Sequence, residues 1–224
     1  MSDRTIGKSP PEGMRILAIE GPIGVGKTTL ARRLAASYAT QLMLEEPAEN
    51  PFLEKYYEDQ ARYALPTQLQ FLFQRVRQLQ SFRQEDLFTP LHISDYMLDK
   101  DRLFAELTLE SAELNMYSMV YERVVDSVPN PDLVIYLQAT VPSLLKRIAH
   151  RGLVYEQGID EAYLERLSSA YIDFFRSYSR APLLIVDTEE INFSDGDAEY
   201  LELLETIDRG VSGIQYFAEG QLLW

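Results

Sequence analysis

Gly21, Gly24, Gly26, Lys27 and Thr28 fall within the run Gly-Pro-Ile-Gly-Val-Gly-Lys-Thr, which fits the phosphate-loop spacing G-x-x-x-x-G-K-[ST]. Glycines at this spacing let consecutive backbone N–H groups wrap around a phosphate. A helix beginning at the lysine adds its positive end. The lysine ammonium is then set to reach terminal phosphates, and the Thr28 hydroxyl to ligate Mg²⁺. Apolar Ile16-Leu17-Ala18-Ile19 precedes the run and helix-like Thr29-Leu30-Ala31-Arg32 follows it. That strand–loop–helix setting gives the pattern its physical meaning.

Phosphoryl transfer asks little covalent help of a protein. It needs positioning, neutralised charge and a base for the accepting hydroxyl. Glu46, just before Pro47, is the candidate base, with a solvated loop carboxylate as the bland alternative. Asp95 closes the short apolar run Leu91–Ser94 and is the candidate Mg²⁺ ligand beside Thr28, or else a helix cap. Gln68 and Arg75 are seven residues apart, on nearly one helical face. An amide and a forked cation suit a nucleobase edge, although such a pair alone is more often surface. Tyr56 and Tyr57 can stack on a base or simply pack. Arg147 and Arg151 lie one turn apart ahead of a loop bearing Gly152 and Gly158, the pattern of a lid with charge-neutralising arginines.

Elements that would hold these residues alternate in type. Short apolar runs at Arg15–Glu20, Gln41–Glu45, Leu91–Ser94, Leu133–Gln138 and Leu183–Val186 predict strands. Helical patterns cover Lys27–Tyr38, Pro66–Gln84, Arg102–Ser127, Val141–His150, Asp160–Ser179 and Ala198–Asp208. Nearly continuous apolar strands separated by helices predict an α/β fold with a five-stranded parallel sheet flanked by helices. In such a sheet, ligands gather at the carboxyl ends of the strands. Residues 1–13 are polar, with Pro10-Pro11, and read as a flexible tail. Residues 14–224 read as one domain, with the lid at about 151–158.

With 21 Lys and Arg against 35 Asp and Glu, the formal charge is −14. A nucleic-acid polymer, which needs a basic face, is therefore not the expected partner. Cysteine is absent, which excludes disulfide and thiol chemistry. His92 and His150 are isolated and suggest no metal site. No apolar run approaches the length of a membrane span. A cytoplasmic enzyme is expected.

The order Gly21–Thr28 with Thr29, Glu46-Pro47, Tyr57, Gln68 with Arg75, Arg147, Arg151 and Glu156-Gln157-Gly158 resembles the deoxynucleoside kinases, in a bacterial form, from about Arg15 to Asp208. The resemblance implies a P-loop kinase fold and transfer of the γ-phosphate of ATP to the 5′-hydroxyl of a deoxynucleoside, preferably a purine, in nucleotide salvage. It implies ATP contacts at Gly21, Gly24, Gly26, Lys27, Thr28 and Thr29, with Mg²⁺ at Thr28 and Asp95. Glu46 matches the base, Gln68 and Arg75 the base-edge pair, Tyr57 and Glu156 the holders of the sugar 3′-hydroxyl, and Arg147 and Arg151 the lid arginines. Asp95 also belongs to the substrate-binding set. A homodimer is implied as well. Two departures stand out. Relatives carry an arginine after the third strand, where this chain reads Ser94-Asp95-Tyr96-Met97, and another arginine where it has Leu153. Fewer lid charges imply either slower chemistry or compensation by Arg102 or Lys100, and the downstream acid that assists base recognition is Asp99 or Asp101. If Glu46 is not the base, Glu45 is the candidate. A non-catalytic nucleotide-binding subunit and a nucleoside-monophosphate kinase are the alternatives.

Overall fold

The protein is described by a computed structural model covering residues 7–81, 91–153, 156, 158–189, 191, 193 and 197–217. Strands β1 (Ile16–Glu20), β2 (Gln41–Met43), β3 (His92–Ser94), β4 (Leu133–Gln138), β5 (Leu183–Asp187) and β6 (Ile214–Phe217) form one sheet, ordered β2-β3-β1-β4-β5-β6. Every neighbouring pair is parallel. Helices flank it: α1 (Lys27–Ser37), α2 (Leu53–Glu58), α3 (Gln60–Ser81), α4 (Asp99–Thr108), α5 (Ser111–Val124), α6 (Val141–Arg151), α7 (Glu161–Arg176) and α8 (Ala198–Arg209).

The central strands are buried along their whole length, as their unbroken apolar runs require. Side chains of α1, α6, α7 and α8 join them in one apolar cluster. Those of α3 and α5, with Tyr96 and Ala105, form a second.

The sheet has six strands, where five were expected. The extra strand, β6, lies on the edge beside β5, and its Ile214 and Tyr216 are exposed. An edge strand is covered on fewer sides, so it carries no continuous apolar run. The predicted helix over Arg102–Ser127 is two helices, α4 and α5, separated by Leu109 and Glu110 with extended backbone. Neither residue is a glycine or proline, so the break leaves no local mark. Helix α3 starts at Gln60 and contains Pro66. With six helical residues before it, the proline is in the helix interior and leaves the Arg62 carbonyl without its i→i−4 donor. The predicted residues 82–84 of that helix lie outside the described residues. So do residues 1–6 of the expected tail; beyond them, the Lys8 N–H donates to the Ser37 carbonyl at 2.9 Å and its ammonium pairs with Asp208.

Candidate active site

Three loops follow the carboxyl ends of β1, β2 and β3 and meet at one cleft of about 1200 Å³. The first, residues 21–26, is shaped by its glycines. Gly21 has φ +145°, and a Cβ there would sit 2.3 Å from the Leu137 carbonyl oxygen on β4. At Gly24, φ +85°, a Cβ would meet Ile148 and Leu144 of α6. Gly26, φ +107°, is the residue before α1, and a Cβ there would have open space. The loop is thus pressed against β4 and α6 on one side and open at the helix start. Gly21→Ala is expected to cost about 2 kcal/mol or more, from backbone strain and overlap together. A urea melt compared with wild type measures it.

Beneath the loop lies Glu20, the last residue of β1. Its carboxylate accepts from the Met97 N–H at 2.8 Å, from the Gly21 N–H at 3.1 Å and from the Tyr171 hydroxyl at 2.9 Å. One buried acid therefore ties the loop's first residue to the segment after β3. Burial pushes this carboxyl up, against the nearby charges of Lys100 and Lys27.

Lys27 curls back onto its own loop, donating to the Gly21 carbonyl at 2.7 Å and the Pro22 carbonyl at 3.1 Å. Burial first, then the charge of Lys100, bring its ammonium down to about 8, while Glu20, Glu45 and Asp95 pull the other way. The Thr28 hydroxyl donates to Asp95 at 2.6 Å. The other Asp95 oxygen accepts from the Glu45 N–H at 2.8 Å. Asp95 thus joins the loop after β1 to the segment after β2.

Of the two adjacent acids, Glu45 and not Glu46 lines the cleft. Strand β2 ends at Met43, two residues earlier than the sequence suggested, and Glu45 lies in the segment beyond it, its N–H bonded to Asp95. Its carboxylate pairs with the Lys100 ammonium at 2.6 Å and with Arg75. Burial alone would raise this carboxyl, but Lys100 and Arg75 outweigh it and hold it well below the usual range. Glu46 is exposed, and its carboxylate accepts from the Gln78 amide at 3.4 Å.

Arg75 is buried and bonded on two sides, to Glu45 and to Asp101 at 2.5 Å. Asp101 is fully buried, and burial pushes its carboxyl up to about 6 against the pull of Arg75. Of the two acids proposed for this role, Asp99 pairs with Arg180 instead. Gln68 lies one face along α3 from Arg75 and also lines the cleft, its amide donating to the Thr108 hydroxyl at 3.1 Å. That hydroxyl donates to the Phe104 carbonyl at 2.8 Å. Thr108 has only one proton to give, so its remaining role toward Gln68 is acceptor, and the amide nitrogen must face it. Nothing in the sequence marked Thr108.

Arg147 and Arg151 both line the cleft. Arg147 donates to the Thr188 hydroxyl at 2.9 Å and its carbonyl at 2.5 Å, and to the Val25 carbonyl at 3.3 Å. The end of β5 thereby holds it against the glycine loop. Arg151 ends α6, which Gly152 caps at φ +68°, and pairs with Glu156. Tyr57 and Thr29 also line the cleft. Residues 154, 155 and 157 of the expected lid lie outside the described residues. Arg102, one of the two compensating cations considered, is exposed and paired with Glu106, while Lys100 is inside.

No described residues form a cluster of three or more His, Asp or Glu able to hold a metal ion by themselves. No helix among the described residues is long and apolar enough to cross a membrane.

A parallel α/β sheet with a glycine loop after its first strand and a large cleft of mixed polar and apolar lining at its carboxyl edge defines a small-ligand-binding protein of the doubly wound kind. Residues 17–212 match the family model described as deoxynucleoside kinase, so the chain belongs to the deoxynucleoside kinase family, phosphotransferases with a hydroxyl acceptor. It is 38% identical over 157 residues to deoxyguanosine kinase of Bacillus subtilis (strain 168), covering 69% of this chain and 75% of that protein. It is 29% identical to deoxyadenosine kinase of Lactobacillus acidophilus over 209 residues, 87% of this chain and 95% of the other. Among solved structures it resembles deoxyadenosine kinase from M. mycoides with dCMP and dCDP bound. The TM-score is 0.74 and the identity 27%, over 85% of this chain and 97% of that one.

Proposed function

We propose that this chain moves the γ-phosphate of ATP to the 5′-hydroxyl of a purine deoxynucleoside. One observation carries the reading: a continuous bonded path from the glycine loop to the buried arginine. It runs from Thr28 through Asp95 to the Glu45 backbone, and from the Glu45 carboxylate to Arg75. Donor and acceptor halves are thus held in fixed register, which is what transfer between two bound molecules demands.

In this reading residues 21–28 are a phosphate loop. Backbone N–H groups at the start of α1 and the Lys27 ammonium take the phosphates of ATP, with Thr29 beside them and Arg147 neutralising charge. Lys27 exchanges its bonds to the loop carbonyls for phosphate oxygens. Thr28 and Asp95 supply two hard oxygens 2.6 Å apart. That set fits Mg²⁺ sharing its shell with phosphates, and the ion would neutralise phosphate charge when bound.

Glu45 takes the role first assigned to Glu46. It is the cleft-facing acid, and a carboxylate offers about four acceptor positions, so two ion pairs leave room for a hydroxyl. Gln68 and Arg75 read the base, with Asp101 fixing Arg75. Tyr57 and Glu156 hold the sugar 3′-hydroxyl, and segment 151–158 is the lid. Arg151, now paired with Glu156, turns to phosphate as the lid closes. The purine preference is supported by the deoxyguanosine and deoxyadenosine kinases among the relatives. A homodimer belongs to the same reading: Phe73 of α3 and Met116 and Met119 of α5 are large, apolar and exposed, and a second copy would cover them.

An ADP-release assay with the four common deoxynucleosides tests the proposal. Turnover is expected with deoxyguanosine or deoxyadenosine at the highest kcat/KM. A pyrimidine deoxynucleoside preferred over both would overturn the purine assignment.

A further inference from the structure

Lys100 is an unusual residue for the place it occupies. It belongs to the first turn of α4, yet its side chain is 5% exposed and its ammonium lies 2.6 Å from Glu45. Buried lysines are costly unless something repays their desolvation. Glu45 repays part. But Glu45 already has Arg75, a stronger fork, on its other oxygen. One acid between two cations does not need the second for its own sake.

The surroundings explain it better. Lys100 lines the same cleft as Lys27 and Thr28. Its charge is the largest single charge acting on Glu20 and is also felt by Lys27. Two ammonium groups from different elements, one after β1 and one after β3, therefore line one cleft, Lys27 on the glycine loop's carbonyls and Lys100 on Glu45. Glu45, Glu20 and Asp95 offset part of that like-charge repulsion, and an anionic phosphoryl group entering the cleft would offset more of it.

We propose that Lys100 is a catalytic cation that contacts the phosphoryl group while it passes from donor to acceptor, opposite Lys27. The proposal rests on the kinase reading above. In the transfer, the bond between the γ-phosphorus and the oxygen bridging to the β-phosphate breaks. A bond from the 5′-oxygen to the same phosphorus forms, and the hydroxyl proton passes to the Glu45 carboxylate. The products are ADP and the deoxynucleoside 5′-monophosphate. Charge spreads over the three equatorial oxygens midway, and Lys27 on one side and Lys100 on the other are placed to meet it. Glu45, 2.6 Å from the Lys100 ammonium, keeps that cation beside the carboxylate that accepts the proton.

The test uses K100M and K100Q, whichever keeps the wild-type melting profile, with K100R as the charge-retaining control. Turnover is measured with the preferred deoxynucleoside, and calorimetry gives the affinities of ATP, ADP and the deoxynucleoside. The neutral variant is expected to lose about a hundredfold in kcat, the scale of one lost transition-state donor. Its preference for ATP over ADP should drop about tenfold, since only ATP carries the transferred group. Deoxynucleoside affinity should stay within about threefold, and K100R should recover at least about tenfold of the lost kcat. If deoxynucleoside affinity falls as far as kcat while the ATP-to-ADP ratio holds, Lys100 only props Glu45, and the proposal is wrong. Unchanged kcat would also overturn it. Absence of wild-type turnover with every deoxynucleoside would remove the kinase reading, and the ATP-to-ADP ratio would still decide whether Lys100 meets the terminal phosphate.

Discussion

Glu45→Gln lowers kcat by about a hundredfold or more, while Glu46→Gln leaves it within about threefold of wild type. The two acids are neighbours, so the pair of variants separates position from charge. Glu45 lies in the cleft between Lys100 and Arg75, and Glu46 is outside it. A carboxylate held below its usual range is a weak base, but this reaction asks for little basicity. In a loose transition state the attacking hydroxyl gives up its proton late, when it has become strongly acidic. An ionised, fixed acceptor is then more useful than a basic one. Glutamine keeps the shape but cannot take the proton. Steady-state rates at saturating ATP give the answer, with a thermal melt to show that each variant is folded. Loss of activity in Glu46→Gln with Glu45→Gln active would return the base to Glu46.

Arg75→Met is expected to destabilise the fold by about 3–5 kcal/mol, the usual cost of breaking a buried ion pair on one side. Asp101 is fully buried and has Arg75 as its salt-bridge partner at 2.5 Å. The variant leaves that carboxylate without its ion-pair partner, with only the more distant charge of Lys100 acting on it. The loss should depend on pH, and the sign follows from proton binding. In the wild type, burial raises the Asp101 carboxyl from about 3.8 unfolded to about 6 folded. The folded state holds the proton more tightly, so this group reduces stability as pH rises through that window. Without Arg75 the folded value moves further up and the window extends to higher pH. The variant's deficit is therefore smaller at pH 5.5 than at pH 8. Urea melts at the two pH values measure it. A deficit under about 1 kcal/mol at pH 8 would show that Asp101 does not depend on Arg75.

What the sequence disclosed follows from how each feature is encoded. The glycine loop and the strand it follows are local, and Gly21 to Thr28 could be read without any partner. Strands β1, β4 and β5 are buried along almost their whole length and show as apolar runs. Strand β6 is half exposed and has no such run. Gln68 and Arg75 sit on one helix, so their spacing told of a shared face. Glu45 and Glu46 differ by a single residue at a strand end, and the direction of each depended on where β2 stopped. That is set by its pairing with β3 and by the bond from the Glu45 N–H to Asp95, 50 residues away. Thr108 left no trace in the sequence, and Lys100 entered only as one of two cations that could stand in for the missing lid charge. Each acts across the cleft on a residue of another element, and a first-turn lysine or a last-turn threonine has no local mark of function.

The identity of the product tests the central claim most directly. Incubated with ATP, Mg²⁺ and its preferred purine deoxynucleoside, the enzyme is expected to yield the deoxynucleoside 5′-monophosphate, one for each ADP formed. Hydrolysis of ATP to free phosphate, or ATP binding with no nucleotide product from any deoxynucleoside, would contradict the account.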